Sequence, residues 1–353
     1  MKTIKFAVIG AGHIGKRHAE MVDRNPESEL VAMCDIRSKE ECGVTYDIPY
    51  FNTPEEMLGA DLEIDVVCVC TPNGLHAKHG LLALDHNKHV VMEKPMALKK
   101  SDCEKMIFNA LHHSKQVFCV MQNRYSPPSA WLKEVVSQGK LGDIYMVQTD
   151  CYWNRDDRYY SKVKWKGTKD LDGGTIFTQF SHFIDIMYWL FGDIENIQAK
   201  FADFKHGATT EFEDSGFVSF DFTNGGIGSF NFSTAVNNQN FESSMTIIGE
   251  KGTVKVGGQY MNEVVYCDIE GYEMPELAPS NPANDYGTYK GSAANHVYII
   301  ENVVNTLLGR TKITTNALEG LKVVEIIERM YQAGSFEKKQ ESAAEKKTVE
   351  SES

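Results

Sequence analysis

Short apolar, β-branched runs punctuate the first third of the chain: Ile4 to Ile9, Leu30 to Cys34, Val66 to Cys70, Val90 to Met92 and Val117 to Met121. Helical stretches starting near Gly12, Thr53, Leu75 and Ser101 separate them, and this alternation predicts a parallel sheet with crossover helices. Thr53-Pro54-Glu55-Glu56 reads as an N-cap, a proline at the first helical position and a capping glutamate. After Ser126-Pro127-Pro128 the pattern changes. One helix near 128–138 is followed by longer alternating runs at Ile144 to Tyr152, Ser215 to Phe222, Gly226 to Phe232 and Ser244 to Ile248, which predict a mostly antiparallel sheet.

A helix from Gly174 to Leu190 interrupts that second sheet, and its aromatic and apolar content predicts a place between two domains. Two further helices, roughly Ala293 to Leu308 and Ala317 to Tyr331, complete the folded part. The reading is therefore α/β, with a Rossmann-type dinucleotide-binding domain over residues 1–124 and an α+β domain over residues 125–335. Residues 336–353, mostly Glu, Lys, Ser and Ala, are expected to form a disordered tail.

Composition narrows the partners. At 353 residues with 42% apolar side chains the chain fills two cores, and a net charge of −13 argues against nucleic acid or an anionic membrane. No run of eighteen apolar residues and no signal-peptide stretch occurs, which leads to an expectation of a cytoplasmic protein. The eight cysteines are scattered, with Cys68 and Cys70 pointing to opposite faces of one strand, and are expected to be reduced, buried thiols.

Gly10-Ala11-Gly12-His13-Ile14-Gly15 follows the first strand and opens a helix, and Asp35 ends the next strand 20 residues beyond the third glycine, 35 − 15. In that context the glycines predict a tight turn, close approach of a pyrophosphate and close helix packing, and Asp35 predicts acceptance from ribose hydroxyls. A carboxylate there repels a 2′-phosphate and favours NAD over NADP, although Arg37 lies two residues on. Thr71-Pro72-Asn73 lies at the same sheet edge and can line the cofactor path, or can be a plain turn capped by Asn73. His76 and His79, three apart, supply only half of a metal site, and no metal is expected.

Glu93-Lys94-Pro95 closes the Val90 to Met92 run and sets a lysine where a nicotinamide would lie. On a helix beginning near Gly174, the residues Thr175, Thr178, Gln179 and His182 share one face. Gly-x-Gly-x-x-Gly, Glu-Lys-Pro and a Gly-Gly pair followed by a helical histidine, in this order, resemble the Gfo/Idh/MocA oxidoreductases. The resemblance implies a large open C-terminal sheet used to form a homodimer or homotetramer, and oxidation of sugar or cyclitol hydroxyls with NAD, with Lys94 and His182 catalytic. One departure stands out, because many relatives carry an aspartate where this chain has Thr178.

Thr178 and Gln179, with Tyr152-Trp153-Asn154-Arg155 and Trp165-Lys166-Gly167-Thr168, resemble one branch of that family, the UDP-N-acetyl-glucosaminuronate 3-dehydrogenases of bacterial surface polysaccharide (O-antigen) synthesis. Some members of that branch keep NADH bound and recycle it with 2-oxoglutarate. The resemblance implies cofactor contacts at Gly10, Gly12, His13, Ile14, Gly15, Asp35, Thr71, Asn73, His76, Glu93, Lys94, Gln122, Trp165 and Lys166. It implies substrate contacts at Lys94, Arg124, Tyr152, Asn154, Arg155, Arg158, Thr178, Gln179 and His182.

Charge agrees with an anionic substrate, a UDP-sugar uronic acid. Residues 155–169 hold six basic side chains (Arg155, Arg158, Lys162, Lys164, Lys166, Lys169) against Asp156 and Asp157, locally +4. Other readings stay open on the same scaffold: a free sugar or cyclitol (inositol or glucose type) dehydrogenase, a non-catalytic dinucleotide-binding protein, and redox-neutral glycoside cleavage. The base is open too. His182 is the default, with charged Lys94 steadying the alkoxide, unless burial lowers the lysine by roughly three units.

Overall fold

The computed structural model describes residues 3–161, 163–287 and 289–336. Strands β1 (Ile4–Ile9), β2 (Ser28–Cys34), β3 (Tyr50–Phe51), β4 (Val66–Val69), β5 (His89–Met92) and β6 (Val117–Cys119) form one sheet in the order β3-β2-β1-β4-β5-β6, with every neighbour parallel. Strand order reverses between β1 and β4, so the loops after them open a crevice at the carboxyl edge. Five of these strands follow the apolar runs, ending one or two residues early at β4 and β6. The two-residue β3 is too short for any pattern to announce. Thr53 caps its helix as expected, accepting from the Glu56 amide at 3.2 Å.

The second sheet joins β7 (Ile144–Tyr152), β8 (Ile194–Ala202), β9 (Ser215–Phe222), β10 (Ile227–Ser233), β11 (Glu242–Gly249), β12 (Gly252–Gly257) and β13 (Glu263–Ile269), in the order β13-β12-β11-β7-β10-β9-β8. Only the central β7–β10 pair is parallel. Alternation gives each strand two faces. Val147, Thr149, Cys151, Val218, Phe220, Phe230 and Phe232 are buried on one, against the Ser181–Phe191 helix, while Met146, Phe217, Ile227 and Ile248 are exposed on the other.

The stretch expected as a single helix from Gly174 to Leu190 is two elements. A π-helical turn over Ile176–Phe180 precedes an α-helix over Ser181–Phe191. A π turn inserts one residue and shifts the side chains on either side of it out of simple i, i+4 register. The helix His296–Leu307 packs Ile299, Ile300, Val303 and Val304 into the same core as Ile4, Phe6 and Val8, so it carries residues of the second half back onto the Rossmann sheet. All eight cysteines are free thiols. Among the described residues no helix is long and apolar enough to cross a membrane. The expected tail after Phe336 lies outside the described residues.

Candidate active site

Backbone crowding fixes the glycine loop. Gly10 has φ of +96°, and a Cβ there would sit 2.6 Å from the Cys70 carbonyl oxygen. A Cβ on Gly15 would sit 1.7 Å from the Gly10 carbonyl oxygen, so helix and strand pack closer than any side chain allows. Gly12 is different. It caps the His13–Arg24 helix without a side-chain bond, and a Cβ there would meet nothing within 4 Å. Free helix amides facing open space suit a pyrophosphate. The exposed His13 lies edge-on to Tyr286 at 5.7 Å, with Ile14 half-buried beside it.

Asp35 accepts from the Ala11 amide at 2.8 Å and from Arg37 at 3.0 Å. Burial opposes its charge, but the Arg37 guanidinium overrules that and holds its pKa below the usual value. The glycines and this ionised carboxylate together fit a dinucleotide with free ribose hydroxyls.

At the chemical end the charge of Lys94 acts on the His182 imidazole. The Lys94 ammonium donates to the Thr178 carbonyl at 2.6 Å, one turn before His182. Burial, with Arg155 nearby, lowers Lys94 to about 8, against upward pulls from Glu93 and Asp172. His182 is 2% exposed, and burial followed by the Lys94 charge pushes its pKa well below 6.5, so it is neutral. Its Nε2 lies 3.1 Å from Gln122 Nε2, and its Nδ1 has no partner among the described residues. With the Gln122 amide donating, the ring proton sits on Nδ1.

Thr178 is held in turn. Its hydroxyl donates to Asp172 Oδ1 and accepts from Asn73 Nδ2 at 2.7 Å, and the same Asn73 amide reaches the Asp172 carbonyl at 2.8 Å. Asn73 therefore ties the Rossmann turn to the second domain. Gln179 accepts from Arg155 Nε at 2.7 Å and donates to the Tyr159 hydroxyl at 2.8 Å. Thr175, expected on the same face, instead bonds the Glu213 carbonyl oxygen, because the π turn rotates it away.

The basic stretch is not one patch. Arg155 is 1% exposed and boxed by Trp153, Tyr159 and Tyr289, 4.8 to 5.2 Å from its guanidinium carbon. Its hydrogen-bond acceptors are all uncharged: Gln179 Oε1, Asn154 O, Asn240 Oδ1 and Lys290 O. Lys166 lies over Tyr159 at 3.5 Å and contributes to lowering the pKa of His13, behind burial and Lys16, so it spans the two ends of the cleft. Trp165, half-buried, adjoins it in the same turn. Arg158 turns outward onto Asp156, Lys164 and Lys169 are exposed, and Lys162 lies outside the described residues.

Five residues expected to make contacts have side chains bonded within the protein. Arg124 is a buried ion-pair centre, bidentate to Asp185 at 2.6 and 2.8 Å and bonded to Glu319 at 2.6 Å. Tyr152 bonds Asp150 on the open face of β7, on the far side of the sheet from His182. Asn154 clamps the Val236 carbonyl and Arg158. His76 sets its ring nitrogens against the Pro95 and Thr71 carbonyls at 2.7 and 2.8 Å, bracing the turn that carries Lys94. Glu93, with both His18 (2.8 Å) and His296 (3.4 Å) on its carboxylate and its own Lys94 amide bonded, is a buried anion. Gln122 stands against His182, while Thr71 bonds His79 at 3.0 Å at the cofactor edge.

Sequence reasoning gave no role to His18, His296, Asp172, Tyr159 or Tyr289. Only two carried a signal: His18 lies three residues past the last loop glycine, and Asp172 directly precedes the Gly173-Gly174 pair.

Comparison with known proteins shows the family. The model of the Gfo/Idh/MocA oxidoreductase family, NAD-binding Rossmann fold, matches residues 4–121, and that of the Gfo/Idh/MocA C-terminal domain matches residues 130–255. The chain is similar to the WlbA dehydrogenase of Bordetella pertussis, solved with NADH and UDP-GlcNAcA, at 30% identity and a TM-score of 0.82, covering 94% of this chain and 96% of that one. The WlbA dehydrogenase of Chromobacterium violaceum, solved with the same two ligands, is also 30% identical, with a TM-score of 0.82 and 94% of each chain covered. D-glucoside 3-dehydrogenase of Escherichia coli is 27% identical, with 94% of this chain and 95% of that protein covered. With both domain models in order and 30% identity along nearly its whole length, the chain belongs to the Gfo/Idh/MocA family and is an NAD-dependent oxidoreductase acting on a CH–OH group.

Proposed function

We propose that the chain oxidises the C3 hydroxyl of UDP-N-acetyl-glucosaminuronic acid to the 3-keto sugar nucleotide, in the cytoplasm, for bacterial surface polysaccharide. The observation that carries this reading is Arg155: a buried guanidinium beside Lys94, with neutral acceptors and no carboxylate partner among the described residues. A buried cation without an anion is costly, and a uronic acid carboxylate would complete it. The likeness to two dehydrogenases solved with UDP-GlcNAcA supports the same choice.

Bound NAD supplies the hydride acceptor. Lys94, lowered to about 8, is neutral in roughly one molecule in ten at pH 7 and takes the C3 hydroxyl proton as the C3–H bond gives up its hydride and the carbonyl forms. Neutral His182, with an unpartnered Nδ1, donates to the oxygen on which negative charge grows. This exchanges the default roles, because burial draws the lysine towards working pH and leaves the imidazole too weak a base. Arg155 and His182 are both buried, which keeps water from the pair.

A second reading, a free-glucoside 3-dehydrogenase, is favoured by the relative from E. coli. The test is reduced-nicotinamide absorbance after mixing NAD with UDP-N-acetyl-glucosaminuronic acid, repeated with 2-oxoglutarate if the first trace is flat. NADH formation, or 3-keto product with the acceptor present, is expected. A flat result in both, with turnover of a methyl glucoside, overturns the uronic acid reading. We also assign the exposed face of the second sheet to a homodimer or homotetramer contact.

A further inference from the structure

We infer that Asp172 is a positioning residue for the reaction, its carboxylate acting through Thr178 to fix the Lys94 amine beside His182. This rests on the reading of Lys94 as the base. The chain of contacts is continuous. Asp172 is 1% exposed, and its Oδ2 accepts from the Gly167 amide at 2.7 Å while Oδ1 takes the Thr178 hydroxyl. The Thr178 backbone then presents its carbonyl to Lys94 Nζ at 2.6 Å. That carbonyl lies inside the Ile176–Phe180 π turn, where the local helical bonding is loosened and a carbonyl can turn to an outside donor. A carboxylate this deeply buried is held by the Gly167 amide and the Thr178 hydroxyl, with the charges of Lys166 and Lys94 acting on it.

The groups that face the two ends are few. Around Lys94 stand Glu93, Arg155, Asp172 and the neutral His182. Around Asp172 stand Lys94 and Lys166 on one side and the phenols of Tyr159, Tyr160 and Tyr331 on the other. Burial raises Asp172 to about 6, against the Gly167 amide and the Thr178 hydroxyl, so it is ionised at working pH and its charge favours the protonated amine. Asp172 thus opposes burial at Lys94 and keeps the amine charged and seated until substrate and NAD arrive. Removing that charge lets the amine lose its proton earlier and drift from the Thr178 carbonyl.

The experiment titrates Lys94 by NMR in protein labelled with [13Cε]lysine, the resonance identified by its loss in Lys94→Arg, and needs no substrate. The midpoint near 8 in the parent protein should fall by about one pH unit in Asp172→Asn, with the melting temperature and NADH affinity kept. An unchanged midpoint in folded Asp172→Asn overturns the inference. If that variant does not fold, Thr178→Val and Thr178→Ser replace it. A loss of roughly tenfold in kcat at constant KM for valine, with recovery by serine, supports the chain of contacts, and equal rates for both variants overturn it. Failure of UDP-N-acetyl-glucosaminuronic acid as substrate would leave the titration result intact, so the two readings fail separately.

Discussion

Burial lowers the pKa of both Lys94 and His182, but only the lysine is left near working pH. Folding lowers Lys94 from 10.5 to about 8, and the proposed mechanism uses the neutral amine. Turnover should therefore rise with pH through a midpoint at about 8 and level off above it, whereas a charged lysine working as oxyanion donor would give a falling limb there. Lys94→Ala and His182→Ala should each lower kcat by about 10² or more, with NAD affinity nearly unchanged when measured by NADH fluorescence. The two side chains stood out as candidates because each sits in a short motif with a fixed place on its element. Arg124 was not. Its partners Asp185 and Glu319 lie 61 and 195 residues away, and only the fold brings a guanidinium onto both. Removing one side of such a buried pair costs about 3–5 kcal/mol, a structural role that sequence position alone disguises as a substrate contact.

At the scale of elements, the glycine loop separates crowding from approach. A Cβ on Gly15 collides with the Gly10 carbonyl, while one on Gly12 enters open space. Gly15→Ala should lower the melting temperature sharply. Gly12→Val should melt like the parent protein yet bind NADH at least tenfold more weakly, by fluorescence titration, because its methyl groups occupy the pyrophosphate path. Equal NADH affinity for the parent and Gly12→Val would mean the cofactor does not cross this loop. The strand–glycine–helix pattern made this element readable in advance. The π turn was unreadable, since one inserted residue at Ile176–Phe180 alters which of Thr175, Thr178 and His182 share a face without altering composition. The side of β7 on which Tyr152 lies was unreadable too, since alternation defines two faces but does not say which one the Ser181–Phe191 helix covers.

The whole molecule leaves one face of its seven-stranded sheet open. Met146 pairs across the ladder with both Ile227 and Ile248, forming an apolar row on that face, and Phe217 is 66% exposed nearby. An apolar row on an uncovered sheet calls for a second copy. Sedimentation should therefore give a dimer or tetramer for the parent protein and a smaller species for Met146→Asp, and a monomeric parent would remove this account of the face. The six-stranded sheet and the cleft at its carboxyl edge, by contrast, followed from apolar runs and glycines alone.

All of these scales meet at one carbon atom. The most direct measurement is a single turnover of UDP-N-acetyl-glucosaminuronic acid deuterated at C3, with enzyme in excess and the bound nicotinamide recovered for mass spectrometry. NADH one mass unit heavier, carrying the deuterium at C4 of the ring, is expected together with a 3-keto sugar. NADH formed without the label, or a label that stays with the sugar, would contradict the proposed oxidation at C3.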